Sequence, residues 1–254
     1  MKRYRHIFIF LCVACSFSMF SQNTSEAASE AYRKEDYKKS IDLYEQIVAQ
    51  GLSEKRESAE IYYNLGNAYF RDNQIAKAIL HYERALLLKP GDSDIRHNLR
   101  FARTRIEDRI DTTGSLFLVN LINKLQNRFT SNTWSGIAIV FFLLFLVCIG
   151  IFLFIRSIWM KKTAFYTGLV VLFLLIVCNV FAFRQKNMLI HRDTGIVMPA
   201  SASVMTSPDV NSKELFRLHA GTKVKLNRTD GNWYEVEIAN GSVGWTSKDN
   251  VEII

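Results

Sequence analysis

The sequence predicts a multi-domain membrane protein: an all-α solenoid, a transmembrane helical hairpin and a small all-β domain. Three observations carry this. Two uncharged apolar runs, Gly136–Ile155 and Ala164–Phe183, are parted only by Arg156–Lys162. Residues 24–110 show apolar and small residues at helical spacing, broken near Gly51–Ser53, Asp72–Gln74 and Lys89–Asp92. After Asp193 the period changes to alternation, with Asp230-Gly231 and Asn240-Gly241 as hairpin-turn dipeptides.

The apolar runs set the organisation. Each is about 20 residues long, which at about 1.5 Å per residue matches a hydrocarbon slab of about 30 Å. The segment between them is too short to cross back, so they form a hairpin over 134–183. The chain before and after it then emerges on one side. Trp134 and Trp159 lie near the ends of the first run, where amphipathic rings favour the interface. A buried hairpin in a soluble protein is the alternative, but neither run has a polar face for water.

The 254 residues carry a net charge of +8. Residues 22–111 hold 15 Lys/Arg against 16 Asp/Glu, and residues 193–254 hold 6 against 8. The excess sits at Lys2, Arg3 and Arg5 and at the membrane borders. Neither soluble part therefore has the basic surface that nucleic acid requires, and no nucleic-acid partner is expected. The cysteines are Cys12, Cys15, Cys148 and Cys178, all in apolar runs. The soluble parts have none, which excludes structural disulfides there.

The N-terminus has a basic start, an apolar run Ile7–Phe20 and small residues at Ser16, Ser18 and Ser21. That is the layout of a signal peptide over residues 1–21, with an uncleaved signal anchor as the alternative. Cys15 invites a lipoprotein reading, but Cys12 stands where Leu is wanted. Lys/Arg counts on the two sides of the hairpin do not decide the topology. The signal segment does, placing both soluble parts outside the cytoplasm.

Residues 22–111 carry an internal repeat. Tyr62, Leu65, Gly66, Tyr69, Ala78, Tyr82, Ala85 and Pro90 fall at the consensus places of one tetratricopeptide repeat (TPR). Gly66 and Ala78 are small where two antiparallel helices cross. An earlier unit lies 38 residues upstream, with Ser40, Tyr44 and Ile47 in place of Ala78, Tyr82 and Ala85. Its first helix is degenerate, with Thr24, Ala27 and Ala28. Ser93–Arg109 reads as a capping helix.

Over 112–133, Leu118, Leu121, Ile122, Leu125 and Phe129 share one helical face. This predicts a juxtamembrane amphipathic helix lying on the membrane surface, or else packing back on the repeats. Residues 184–192 are a linker.

In 193–254, Gly221-Thr222-Lys223-Val224, Gly231-Asn232-Trp233-Tyr234-Glu235-Val236 and Ser242-Val243-Gly244-Trp245 follow in the order of a bacterial SH3-like barrel. The resemblance covers about 60 residues.

No catalytic motif is present. The histidines His6, His81, His97, His191 and His219 are scattered without zinc-type spacing, and no phosphate loop, dinucleotide fingerprint or nucleophile elbow occurs. No enzyme activity and no cofactor or metal are expected. Binding residues are better candidates. In TPR geometry the first helix of each unit lines the groove. That face selects Tyr63, Asn64, Asn67 and Arg71, then His97, Asn98, Phe101 and Arg105. Amide, aromatic and Arg groups together suit an extended peptide with acidic groups; an ordinary solvated face is the alternative. Arg96, Arg100 and Arg103 share another helical side. On the SH3-like part, Trp233 and Tyr234 suit an aromatic peptide-binding strip, while Trp233 and Trp245 also suit a core.

Exported TPRs, a membrane hairpin and an SH3-like barrel in this order resemble the BatE family, the TPR protein of the Bacteroides aerotolerance operon. The resemblance implies a bacterial inner-membrane scaffold with periplasmic modules, working with von Willebrand A-type membrane proteins in envelope integrity, stress tolerance or aerotolerance. A different class remains open beside it: an envelope sensor whose barrel grips peptidoglycan.

Overall fold

The structure, a computed structural model, describes residues 24–108 and 117–254. The expected signal peptide lies outside the described residues. The chain divides into two units, one holding the residues through Leu88, Ser93–Thr113 and Asp193–Ile254, the other Lys89–Asp92 and Gly114–Arg192.

In the first unit, α1 (residues 24–33), α2 (Tyr37–Ser53), α3 (Ala59–Arg71), α4 (Ile75–Leu88) and α5 (Ser93–Arg103) follow in series. Local chemistry sets their ends. Asp36 caps α2 by accepting from the Lys39 N–H at 3.2 Å, and Ser58 caps α3 by accepting from the Ile61 N–H at 3.4 Å. The turns α1–α2 and α3–α4 are the same turn. Glu35 and Asn73, 38 residues apart, both take the left-handed conformation (φ 61° and 60°). The N–H groups of Asp36 and Gln74 then reach back to the Ala31 and Tyr69 carbonyls at 3.0 and 2.9 Å. The degenerate first unit therefore keeps the helical-hairpin geometry of the second.

Small residues let the paired helices close. A Cβ on Gly66 would stand 2.7 Å from the Tyr82 ring. In the first pair, Ser40 Oγ donates to the Ala28 carbonyl at 2.9 Å, and both residues are fully buried. Tyr44, Tyr62, Tyr69 and Tyr82 fill the core. Their hydroxyls reach polar partners: Ser29 at 2.7 Å, Glu57 at 3.0 Å, Glu45, and Asn67 at 2.7 Å. A buried ring with a satisfied tip costs no unpaired polar group.

After Asp193 come β1 (Thr194–Val197), β2 (Ser201–Met205), β3 (Glu214–His219), β4 (Lys223–Asp230), β5 (Trp233–Glu237), β6 (Val243–Ser247) and β7 (Val251–Ile253). They form one antiparallel sheet in the order β3-β2-β6-β5-β4-β1-β7. Asp230 pairs with Trp233 across the expected Gly231 turn. Asn240 and Gly241 turn β5 into β6, with the Asn240 Oδ1 accepting from the Ser242 N–H at 2.9 Å. Val197, Val204, Leu218, Val224 and Val236 make the sheet's own core.

The ladder corrects the expected barrel, because it does not close: β3 and β7 remain its edges. Each edge meets a residue of the repeat part instead, from α4 or from the segment after α5. Arg84 of α4 donates to the Ile253 carbonyl on β7 at 2.6 Å. Asp108 accepts from the His219 N–H on β3 at 2.8 Å.

These contacts belong to a larger junction that joins repeats and sheet in one body. Ile196 and Ile254 are buried in the helical core beside Ile79 and Tyr62. Gly221 has φ +90°, and a Cβ there would meet Ile106 Cγ2 at 2.6 Å and Ile79 Cδ1 at 3.1 Å. Glu83 of α4, buried, accepts from Arg103 of α5 and, at 2.8 Å, from Lys223 of β4.

In the second unit, α6 (Phe117–Gln126), α7 (Ser131–Phe154) and α8 (Ile158–His191) are all helical. Helices α7 and α8 are long and apolar enough to cross a membrane, and they pack on one another. Their connection is shorter than expected. Only 155–157 leaves the helix, and Lys161 and Lys162 sit in the first turns of α8. The segment 184–192, expected as a linker, continues α8 as far as His191. The reason is its composition: no Gly or Pro interrupts it.

Candidate functional site

The site residues selected from the repeats lie on α3 and α5, which run side by side, except Arg105, which stands in the turn just after α5. Three of them form a hydrogen-bonded cluster. Asn98 Nδ2 donates to the Tyr63 hydroxyl at 3.1 Å and to Asn67 Oδ1 at 2.9 Å. The same Asn67 oxygen accepts from the Tyr82 hydroxyl at 2.7 Å. Burial pushes the Tyr82 hydroxyl well above the ordinary tyrosine range, so it stays a donor. Asn67 therefore ties the groove floor to the helix crossing, and its amide oxygen is already committed within the chain.

The remaining residues line the opening. Phe101, 48% exposed, packs against Phe70 at 5.5 Å, and the Arg105 guanidinium lies 5.6 Å from its ring centroid. Arg71 stands over the Tyr37 ring at 5.1 Å, with Glu35 at 3.8 Å. Both arginines and His97 are exposed, and Asn64 is half-buried. Among the described residues neither Asn64 nor His97 shows a side-chain hydrogen bond. The groove thus presents an aromatic floor, two stacked guanidinium groups and a free amide. These are the side-chain types that hydrogen-bond peptide backbone and carboxylates.

The sheet does not cover this face. It sits on α4, on the end of α5 and on the segment after it, through Ile79, Glu83, Arg84, Arg103, Ile106 and Asp108. Of the three arginines Arg96, Arg100 and Arg103, the last is thereby committed to Glu83. Burial alone would raise the Glu83 carboxyl; Lys223 and Arg103 outweigh it and hold it below the ordinary range.

On the sheet, Trp233 and Tyr234 do not form one strip. They are consecutive on β5, so their side chains leave opposite faces. Tyr234 packs on the sheet core with Lys248 over its ring at 5.4 Å. Trp233 shares the other face with Glu235 and with Trp245, which pairs with Glu235 on β6. All three aromatics are half-buried.

Sequence reasoning missed the junction altogether. Beside it runs a cavity of about 550 Å³ lined by Arg103, Ile106, Asp108, Lys223, Lys225 and Glu237 among others. Its cations are answered by Glu83 and Glu237, the latter 3.8 Å from Lys225. The only sequence signal was the adjacent pair Ile79-Leu80 on α4, which gives that helix a second apolar side. His81 is buried and stacks between Tyr69 (5.4 Å) and Tyr62 (5.8 Å). Among the described residues no group of three or more His, Cys, Asp or Glu is placed to hold a metal.

Comparison with known families agrees with this anatomy. A tetratricopeptide-repeat model matches residues 59–92, which hold α3, α4 and the loop after them. A bacterial SH3 domain model matches residues 201–252, from β2 into β7. No curated protein matches the chain. The chain therefore carries a TPR-type and a bacterial SH3-type domain, with the partner-binding character that such domains have.

Proposed function

We propose that this chain is a non-enzymatic scaffold of the bacterial inner membrane that holds partner proteins in its α3–α5 groove. The single observation that carries the reading is the open groove. The sheet is seated on α4, and the aromatic, amide and arginine side chains of α3 and α5 are left facing outward. Helices α7 and α8 serve as the anchor.

The position of the anchor in the chain supports a two-span topology. Residues before and after it share one hydrophobic core. They must therefore occupy one compartment, which two crossings provide and one does not. With the signal segment read from the sequence, that compartment is the periplasm.

The order of repeats, hairpin and sheet resembles the BatE family. On that reading the partners are von Willebrand A-type membrane proteins, and the process is envelope stress tolerance or aerotolerance. A second reading, a peptidoglycan-binding envelope sensor, draws on the bacterial SH3 match and on Trp233 and Trp245 sharing one sheet face. The short 155–157 connection leaves little on the far side for a sensor to signal through.

Copurification in mild detergent, followed by mass spectrometry, tests the proposal. A scaffold brings down membrane-protein partners. A wall sensor brings down none and sediments with purified peptidoglycan.

A further inference from the structure

Between Asp111 and Asp193 the chain contains no Asp or Glu. Arg192 apart, its lysines and arginines there gather in two groups. Arg156, Lys161 and Lys162 flank the α7–α8 connection. Lys124, Arg128, Arg184 and Lys186 stand where α6 meets the opposite end of α8.

The second group is assembled by contacts of a buried amide. Gln126, at the end of α6, is 1% exposed. Its Nε2 donates to Gln185 Oε1 at 3.4 Å and lies 3.9 Å from the Met188 sulfur. Its backbone carbonyl accepts from the Trp134 indole N–H at 3.0 Å. Trp134 in turn packs edge-on against Phe129 (5.3 Å) and Phe181 (5.1 Å). The end of α6 is thereby fixed to both apolar helices. Lys124 and Arg128 flank Gln126, and Arg184 and Lys186 flank Gln185. All four are exposed, and the one acidic side chain of this unit, Asp92, pairs with Lys89 at 2.8 Å.

Helix α6 also leaves apolar side chains uncovered. Phe117 is 78% exposed and Leu118 67%, with Leu121 and Leu125 about half exposed. These residues continue the apolar surface of α7 and α8 at the level of Trp134. A run of exposed apolar side chains of this kind marks a protein or membrane interaction site.

We propose that α6 lies in the headgroup layer of a leaflet rich in anionic phospholipid. Its apolar side chains enter the upper acyl region, and Lys124, Arg128, Arg184 and Lys186 hold the phosphate-bearing headgroups. The proposal rests on the reading that α7 and α8 span the membrane. An anionic phospholipid joins an acyl chain to a negative headgroup, which is the pairing this end of the unit presents. A second copy packed through the same face is the poorer occupant, since that face brings the same four cations.

The test uses the full chain reconstituted in phosphatidylcholine vesicles. A trace lipid carries a diazirine in the acyl chain near the headgroup, on either phosphatidylglycerol or phosphatidylcholine. Cross-linked peptides are mapped by mass spectrometry. Expected is labelling of α6 as well as α7 and α8, with phosphatidylglycerol labelling α6 at least about fivefold more than phosphatidylcholine, a factor that one cation near the surface suffices to give. In the variant Lys124→Gln, Arg128→Gln, Arg184→Gln, Lys186→Gln the preference should vanish while α6 labelling by phosphatidylcholine persists. Labelled α7 and α8 with unlabelled α6 would overturn this proposal alone, and α6-to-α6 protein cross-links would then assign the face to a second copy. Equal labelling of α6 by the two lipids in the unmodified chain would overturn the headgroup preference. Absence of label on α7 and α8 would overturn the membrane reading itself.

Discussion

Asp108 grips His219 twice: its Oδ2 accepts the His219 backbone N–H at 2.8 Å, and its Oδ1 accepts the ring Nδ1–H at 2.6 Å. The same Oδ2 accepts the Thr222 hydroxyl at 2.6 Å. One carboxylate at the end of the repeats thus closes the end of β3 and the turn into β4.

This arrangement sets two titrations. Burial alone would raise the Asp108 carboxyl, but the Thr222 hydroxyl and the His219 groups outweigh it and hold it below the ordinary range. The hydrogen bond to Asp108 raises His219 above the ordinary histidine value of about 6.5. The His219 contribution to stability is therefore complete below about pH 6.5 and lost as pH rises through its raised folded value. The Asp108 contribution is complete above its unfolded value of about 3.9 and lost as pH falls through its lowered folded value. In Asp108→Asn, His219 should titrate close to its ordinary value by NMR, and stability should fall by about 1–3 kcal/mol. An unchanged His219 titration would contradict the clamp.

Gly221 tests the same junction from its apolar side. Replacing it with Ala places a Cβ within 2.6 Å of Ile106 Cγ2, at a φ of +90°. The cost should be about 1–3 kcal/mol from overpacking and backbone strain together. Chemical denaturation of the full chain reads this. Loss of stability should be accompanied by greater solvent exchange of the Ile196 and Ile254 amides, which report the shared core. A fully tolerated alanine would mean that Gly221 does not sit against Ile79 and Ile106.

How much of this was legible in the sequence follows from the range of each interaction. Tyr62, Leu65, Gly66, Tyr69 and Ala78 announced the helical pair because packing within one hairpin repeats at fixed spacing. The 38-residue offset placed the first pair even where Thr24, Ala27 and Ala28 had lost the pattern, since Glu35 and Asn73 keep the same turn. The turns at Gly231 and Gly241 were equally local. The junction was not legible, because Glu83 meets Lys223 and Arg84 meets Ile253 across more than a hundred residues and no period links them. The open sheet goes with the same contacts, since Arg84 of α4 and Asp108 after α5 each bond to one of its edges. Of the groove residues, Asn67 and Asn98 looked free and are in fact bonded to each other.

His81 gives the helical core its own acid sensitivity. Burial, then the nearby Arg84 and Lys77 charges, push its pKa down to about 3. The unfolded chain therefore binds a proton that the folded chain refuses between about pH 6.5 and 3. Stability should be complete above that window and fall by about 1.4 kcal/mol per pH unit within it. His81→Phe keeps a ring between Tyr62 and Tyr69 and removes the titration. Its acid limb in pH-dependent melting should be shallower by one proton. An equally steep limb would place the acid sensitivity elsewhere.

The topology reading has a direct consequence for proteolysis. In sealed spheroplasts, external protease should reach both 24–108 and 193–254. Because the two segments share a core, cleavage of either should open the other, and both parts should be lost together. Protection of one segment while the other is degraded would contradict both the shared core and the two-span anchor.

The most direct measurement concerns the groove. Asn64, Arg71 and Arg105 line its opening, and unlike Asn67 they are not part of the hydrogen-bonded floor. In Asn64→Ala, Arg71→Ala, Arg105→Ala, three contacts worth roughly 0.5–3 kcal/mol each are removed, so partner binding should weaken at least about tenfold. The comparison is copurification of partners from mild detergent, by quantitative mass spectrometry, with melting used to show that the variant is folded. A parallel Trp233→Ala, Trp245→Ala variant reports on the sheet face. The scaffold account predicts that the groove variant loses its partners and the sheet variant keeps them. Retained partners in a folded groove variant, with peptidoglycan sedimentation abolished by the sheet variant, would contradict it.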